Sequence, residues 1–171
     1  MPDAGWDARS AALWERLDEL DEGAFRAAVD ALAAELGDGD PAALFERGCA
    51  ADSTGHPDEA VPLYEAALAA GLSGYRRRRA LIQLSSSLRN LGEPERGVVL
   101  LEAERAAGAA GDAEVATLDD ALTCTLALCL ADSGRAREAV GLMVAAMAPR
   151  LPRYQRSMAF YGRDMAGLGN D

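Results

Sequence analysis

Three cysteines, one histidine and a run of four arginines are the side chains of this 171-residue chain that invite a chemical reading. Cys49, Cys124 and Cys129 are an odd number, which fits reduced and mostly buried thiols better than a disulfide framework. The spacing of Cys124 and Cys129 is not that of zinc ligands and His56 is distant from both, so no metal and no cofactor is expected. His56 sits in the turn Gly55-His56-Pro57 with no helix-spaced acid to partner it. The acid pairs Asp58-Glu59 and Asp119-Asp120 stand at helix starts, where capping and the helix dipole account for them. No glycine-rich phosphate loop is present. The chain is expected not to be an enzyme.

The arginines point to recognition instead. Arg79, Gln83, Ser86 and Asn90 follow one another at helical spacing and form one polar face opposite the stripe Leu81, Leu84, Leu88 and Leu91. Arg76 to Arg79 lie at a helix start, where the macrodipole disfavours positive charge, so something must offset them. One reading is an acidic peptide or carboxylate held by arginine forks. The other is pairing with Glu59, Glu65 or the acidic N-terminal hairpin of the same chain, or plain solvation. The second carries more weight, because charge runs are usually solvated faces.

The net charge of −11 argues against a nucleic-acid partner, which calls for a basic surface. The charge is uneven: residues 1–40 hold 11 acids against 3 arginines, residues 76–105 hold 7 arginines against 4 acids. Every basic residue is arginine, a bias that a GC-rich bacterial genome produces by itself. The apolar stretches at 126–131 and 142–148 are too short to span a bilayer, so no membrane association is expected. The first residues lack a basic start followed by an apolar run, and a cytoplasmic location is expected.

The elements that must carry these residues are helices. Leu13, Leu17 and Leu20 form one stripe and Phe25, Ala28, Val29, Leu32 and Leu36 the next. Gly37-Asp38-Gly39 ends that helix, and Asp40-Pro41 caps and opens a third, running to Thr54. A fourth spans Asp58 to Ala70, closed by Gly71. A fifth carries the leucines above, a sixth Val98 and Leu101, a seventh runs from Glu114 to Ser133, and an eighth from Ala136 to Ala148. The last has the stripe Tyr154, Met158, Tyr161, Met165 and Leu168. Trp6 and Trp14 read as packing residues.

Three turns share one grammar: Gly55-His56-Pro57-Asp58-Glu59-Ala60-Val61, Gly92-Glu93-Pro94-Glu95-Arg96-Gly97-Val98 and Gly134-Arg135-Ala136-Arg137-Glu138-Ala139-Val140. Each is a glycine, a short polar turn, a small residue and a valine that starts an apolar stripe. With Leu44, Gly48, Ala60, Tyr64 and Ala67 in phase around the first, these units resemble the tetratricopeptide repeat family, whose unit is a 34-residue pair of antiparallel helices. The run Asp52-Ser53-Thr54-Gly55-His56-Pro57 and the segment Leu88-Arg89-Asn90-Leu91-Gly92 are similar to a bacterial subgroup of unassigned role. Glu104 and Thr123 depart from the pattern. The glycines lie 37 and 42 residues apart, so residues are extra at 75–77 and 112–119, suggesting longer first helices in the second and third repeats.

The resemblance implies an all-α, right-handed α–α superhelix of about four helical hairpins plus a C-terminal capping helix, forming one domain over residues 1–171. Its parts would be a degenerate hairpin at 7–36, repeats at 41–74, 78–111 and 120–153, and a closing helix at 152–168. It also implies a concave groove lined by the first helix of each repeat. The matching positions include Phe45, Cys49 and Asp52 in the first repeat, Arg79, Ile82, Ser86, Arg89 and Asn90 in the second, and Cys124, Leu128 and Asp132 in the third; Gln83 joins them from the arginine face. Phe45 and Ile82 are apolar anchors if exposed and core if buried.

The function implied is a non-catalytic scaffold for protein–protein interaction that binds a peptide or partner helix, with an acidic segment suiting the arginines. Two alternatives stand beside it. One is homo-oligomerisation, as a homodimer, through Tyr154, Met158, Phe160 and Tyr161. The other is a small-ligand or thiol function at Cys49 and Cys124. The acids Glu15, Asp18, Glu19, Asp21 and Glu22 either receive a basic partner, another copy included, or form a soluble outer face.

Overall fold

A computed structural model describes residues 2–169, and all regular structure among them is helical. In chain order the helices are α1 (Ala4–Trp14), α2 (Glu22–Ala34), α3 (Pro41–Ser53), α4 (Pro57–Ala69), α5 (Gly74–Asn90), α6 (Pro94–Ala107), α7 (Ala113–Ala116), α8 (Asp119–Asp132), α9 (Ala136–Met147) and α10 (Gln155–Met165). The chain divides into two compact units, residues 1–87 and 88–171, the division falling within α5.

The three glycine turns close in one way. The His56 amide donates to the Ala51 carbonyl at 2.9 Å, Glu93 to Leu88 at 2.9 Å and Arg135 to Leu130 at 2.8 Å. That closure requires a left-handed residue just before the donor, and Gly55, Gly92 and Gly134 supply it with φ of 87°, 83° and 78°. Pro57 and Pro94 then stand first in α4 and α6, where a missing amide hydrogen leaves no bond unmade.

In the first unit α1 packs on α2, α2 on α3, and α3 on α4. Phe25, Val29 and Ala50 form a core ringed by Leu13, Trp14, Leu17 and Leu20. The Trp14 ring meets Phe25 edge-on at 5.1 Å and its indole N–H donates to Glu46 Oε2 at 2.7 Å. Trp6 is buried and donates to the Leu32 carbonyl at 2.9 Å. Where α3 crosses α4, a Cβ on Gly48 would lie 2.9 Å from the Tyr64 ring, so only glycine admits this approach undisturbed.

In the second unit α6 packs on α8, α8 on α9 and α9 on α10. Leu101, Leu122, Leu126, Cys129, Leu130 and Leu142 are buried. The α9–α10 crossing is closer still. A Cβ on Gly141 would lie 2.4 Å from the Ala166 nitrogen, and one on Gly162 would lie 2.5 Å from the Ala145 nitrogen.

Two sequence expectations need correction. The extra residues at 112–119 do not lengthen a seventh helix: Asp112 accepts from the Glu114 and Val115 amides and caps a separate turn, α7, before α8 begins at Asp119. The residues at 75–77, by contrast, do fall within a longer helix, α5 having 17 residues against 13 in α3. The last helix is also shorter than 152–168, and of its expected stripe Met158 and Met165 are half-buried while the tyrosines are not on the buried face. Tyr154 and Tyr161 are exposed, while Gly162 and Ala166 are buried, because the backbones approach too closely for large side chains. Glu104, where a small residue is expected, is buried in α6.

A methyl at Gly162 has backbone atoms on its path, which cannot rotate away. We expect Gly162→Ala to destabilise the protein by about 3 kcal/mol, the upper end for overpacking. Gly48→Ala meets a ring instead and gains helix propensity of about 1 kcal/mol, so its net cost is smaller. Urea unfolding midpoints of the two variants check the order.

Candidate functional site

In the first unit the site is built on α3 and on α5 as far as Ser87. The Asp40 carboxylate accepts from the Ala42 amide at 2.8 Å and Pro41 opens the helix, which fixes the register of α3. Phe45, Cys49 and Asp52 therefore share a face. Phe45 and Cys49 are 0% exposed and offer no surface to a ligand, whereas Asp52 is half-buried.

What covers Phe45 is Arg79. Its guanidinium carbon lies 5.1 Å from the Phe45 ring centroid and 6.0 Å from that of Tyr75. Among the described residues no carboxylate pairs with Arg79. Arg76, one turn earlier, is bound differently: it donates to Asp7 at 2.6 Å, lies 3.9 Å from Glu46 and sits 5.9 Å over the Trp6 ring. Pairing with the acidic N-terminal hairpin thus holds for Arg76. Of the other two expected partners, Glu59 bonds Arg26 and Glu65 is also engaged.

The thiol beneath is buried, and its surroundings disfavour the thiolate. Cys49 Sγ donates to Gln83 Oε1 at 3.4 Å. Burial, helped by the nearby Glu46 carboxylate and opposed by the Arg79 charge, pushes its pKa up to about 12. At neutral pH it is a neutral packing group. Burial likewise raises the Tyr64 hydroxyl, whose ring lies 6.2 Å from Phe45. Asp52 accepts from the Ser87 hydroxyl at 2.8 Å, and burial outweighs that bond in raising its pKa. Ile82 and Ser86 are half-buried on α5.

The second unit holds the remaining expected residues. Arg89 donates to Asp132 at 2.6 Å, so these two occupy one another, and Asn90 is exposed. Cys124 and Leu128 are exposed and, with Ala127, Val140, Met143 and Val144, line an apolar depression of 410 Å³ on α8 and α9. Burial raises the pKa of Cys129, opposed by Arg89. Tyr75 and Ser87 were missed by sequence reasoning. Tyr75 stands one helical turn before Arg79, a spacing that marks a neighbour; Ser87 becomes a partner of Asp52 only through tertiary packing.

Two outcomes follow. A maleimide should label Cys124 in the native protein and reach Cys49 and Cys129 only on unfolding, as mass spectrometry of the peptides would show. Asp52 carries a raised folded pKa, so its ionised form costs stability above that pKa and the cost vanishes below the ordinary aspartate range. Asp52→Asn, which keeps the Ser87 bond, should therefore be more stable than the parent at pH 7. The gap should shrink as the pH falls through the raised pKa and be closed once it lies below the ordinary aspartate range, measured by thermal unfolding across that window.

Residues 41–165 match the family model described as Tetratrico peptide repeat. No curated protein and no solved structure gives a match. Among the described residues no helix is long and apolar enough to cross a membrane. Repeats of this family generally mediate protein–protein interaction, typically as non-catalytic scaffolds. With the matched segment covering most of the chain and the three glycine turns closing alike inside it, the protein belongs to the tetratricopeptide repeat family.

Proposed function

We propose that the protein is a cytoplasmic, non-catalytic scaffold that holds an acidic peptide against the α3–α5 face of its first unit, with Arg79 receiving a carboxylate of the ligand. The observation that carries this reading is the state of Arg79. Its guanidinium lies against two aromatic rings and, among the described residues, bears no carboxylate, while Arg76 in the same run is already engaged by Asp7. A cation stacked on rings keeps its edge N–H groups directed outward, where a carboxylate can accept from them in pairs. Phe45 then acts from below, as the surface on which Arg79 rests, and not as an anchor in contact with the peptide. The apolar depression at Leu128 supports a separate contact in the second unit, suited to an apolar side chain of a partner.

The test uses short synthetic peptides in matched pairs, one rich in glutamate and one with glutamine in its place, titrated by fluorescence anisotropy. The acidic peptide should bind more tightly, and Arg79→Gln should weaken it about tenfold or more while leaving the glutamine peptide unaffected, as loss of one charge-assisted contact of about 1.5–3 kcal/mol implies. Equal binding of the two peptides, or an Arg79→Gln variant that binds like the parent, removes Arg79 from the reading.

A further inference from the structure

The face of α10 that looks away from α9 carries a feature the peptide reading does not use. Tyr154, Arg156, Ser157, Phe160 and Tyr161 line a groove of 660 Å³. Tyr154 is 73% exposed and holds a left-handed backbone, φ 67°, that a bulky L-residue adopts only at a cost. Phe160 and Tyr161 meet edge-on at 5.8 Å with their outer surfaces uncovered. Arg153 and Arg156 are exposed beside them, and among the described residues neither has a carboxylate partner. In a chain of net charge −11 this is an aromatic, positively charged patch. Tyrosine, phenylalanine and arginine are the residues that enrich protein interfaces.

Its complement lies in the same sequence. The turn between α1 and α2 carries Glu15 and Asp18, exposed and without a partner among the described residues, and Glu19, whose contact is Arg16 at 3.6 Å. Beside that turn Leu17, Leu20 and Phe25 contribute to a depression of 300 Å³ with Asp18 on it. One surface offers exposed rings flanked by cations, the other a small, largely polar hollow whose rim carries Asp18 and Glu22.

We propose that the α10 groove receives the acidic turn Glu15–Leu20 of a second copy of this chain. The contact is heterologous: it joins two different surfaces, so each copy offers one of each. The overall charge makes copies repel, and the local match of sign is what selects this docking over others. Salt screens the general repulsion and the local attraction together, so ionic strength alone is an ambiguous probe.

A charge exchange resolves it. The variant Arg153→Glu/Arg156→Glu and the variant Glu15→Arg/Asp18→Arg are each examined by sedimentation velocity over a concentration series, alone and mixed, beside the parent. The parent should self-associate, each variant alone should do so at least about tenfold more weakly, and the equimolar mixture should recover the parent's association. Tyr154→Gly should weaken association without lowering the unfolding temperature, since glycine accepts the left-handed backbone freely. A parent that stays monomeric throughout overturns the proposal. So does a mixture that fails to recover, the result expected if α10 meets another α10 or the acidic segment of a different protein.

Discussion

How closely two helix backbones can approach is the constraint on which this protein depends. At α3–α4 the distance is set by Gly48 lying against the Tyr64 ring, and at α9–α10 by Gly141 and Gly162 lying against backbone. Large side chains at those positions would hold the helices apart and open voids that the neighbouring core residues could not fill. The turns serve the same end. An identical six-residue closure at Gly55, Gly92 and Gly134 returns the chain sharply, so that the second helix of each pair begins already beside the first. Close nesting then decides burial. With α4 on one side and α5 laid over the other, Phe45 and Cys49 lie wholly inside, and the polar groups above them must find their places on top of an apolar floor.

The arginine run shows how that floor handles charge. Four successive cations at the start of α5 oppose the helix dipole, yet two visible solutions differ in kind. Arg76 is neutralised by Asp7 and approached by the buried Glu46, which also takes the Trp14 indole hydrogen; this links α1, α3 and α5 through one set of bonds. Arg79 is accommodated by aromatic faces, which favour a cation without consuming its N–H groups. The first solution contributes to the fold. The second leaves hydrogen-bonding capacity unspent.

Much of the fold was legible in the sequence, for a physical reason: leucine stripes and glycine-led turns are local signals, and the long helices form where they point. The failures fall where a long-range contact overrode a local pattern. The stripe Tyr154, Met158, Tyr161, Met165 and Leu168 has faultless helical spacing, but the crossing with α9 selects for the smallest residues, and glycine and alanine carry almost no weight in a reading by hydrophobicity. Asp112 was a readable cap, but the extra residues around it looked like a helix extension because nothing local marks Leu118 as non-helical. The site was less legible. The family's groove positions gave Phe45 and Cys49 as ligand-facing, and whether such a position is open or roofed depends on what α5 lays over it. Arg79 and Gln83 lie over them, and their own prominence in the sequence came from their place on a polar helix face, not from any sign of what lay beneath.

That distinction bears on what favours the proposed recognition over thiol chemistry at this surface. The Cys49 thiol is held neutral by its surroundings, and the one cation near enough to ionise it is outweighed by burial. Exposed ion pairs elsewhere, such as Arg135 with Glu102 and Glu138, contribute little each because both partners were well solvated before they met. Arg79 differs in its starting point. Its guanidinium carbon lies within 6.0 Å of two ring centroids and the residue is half-buried, so part of the ordering and desolvation that an incoming carboxylate would have to offset is already complete. A charge held in that condition gains more from an incoming anion than a freely moving one does. The aromatic support, more than the charge itself, is therefore what favours the proposed role of this arginine in recognition.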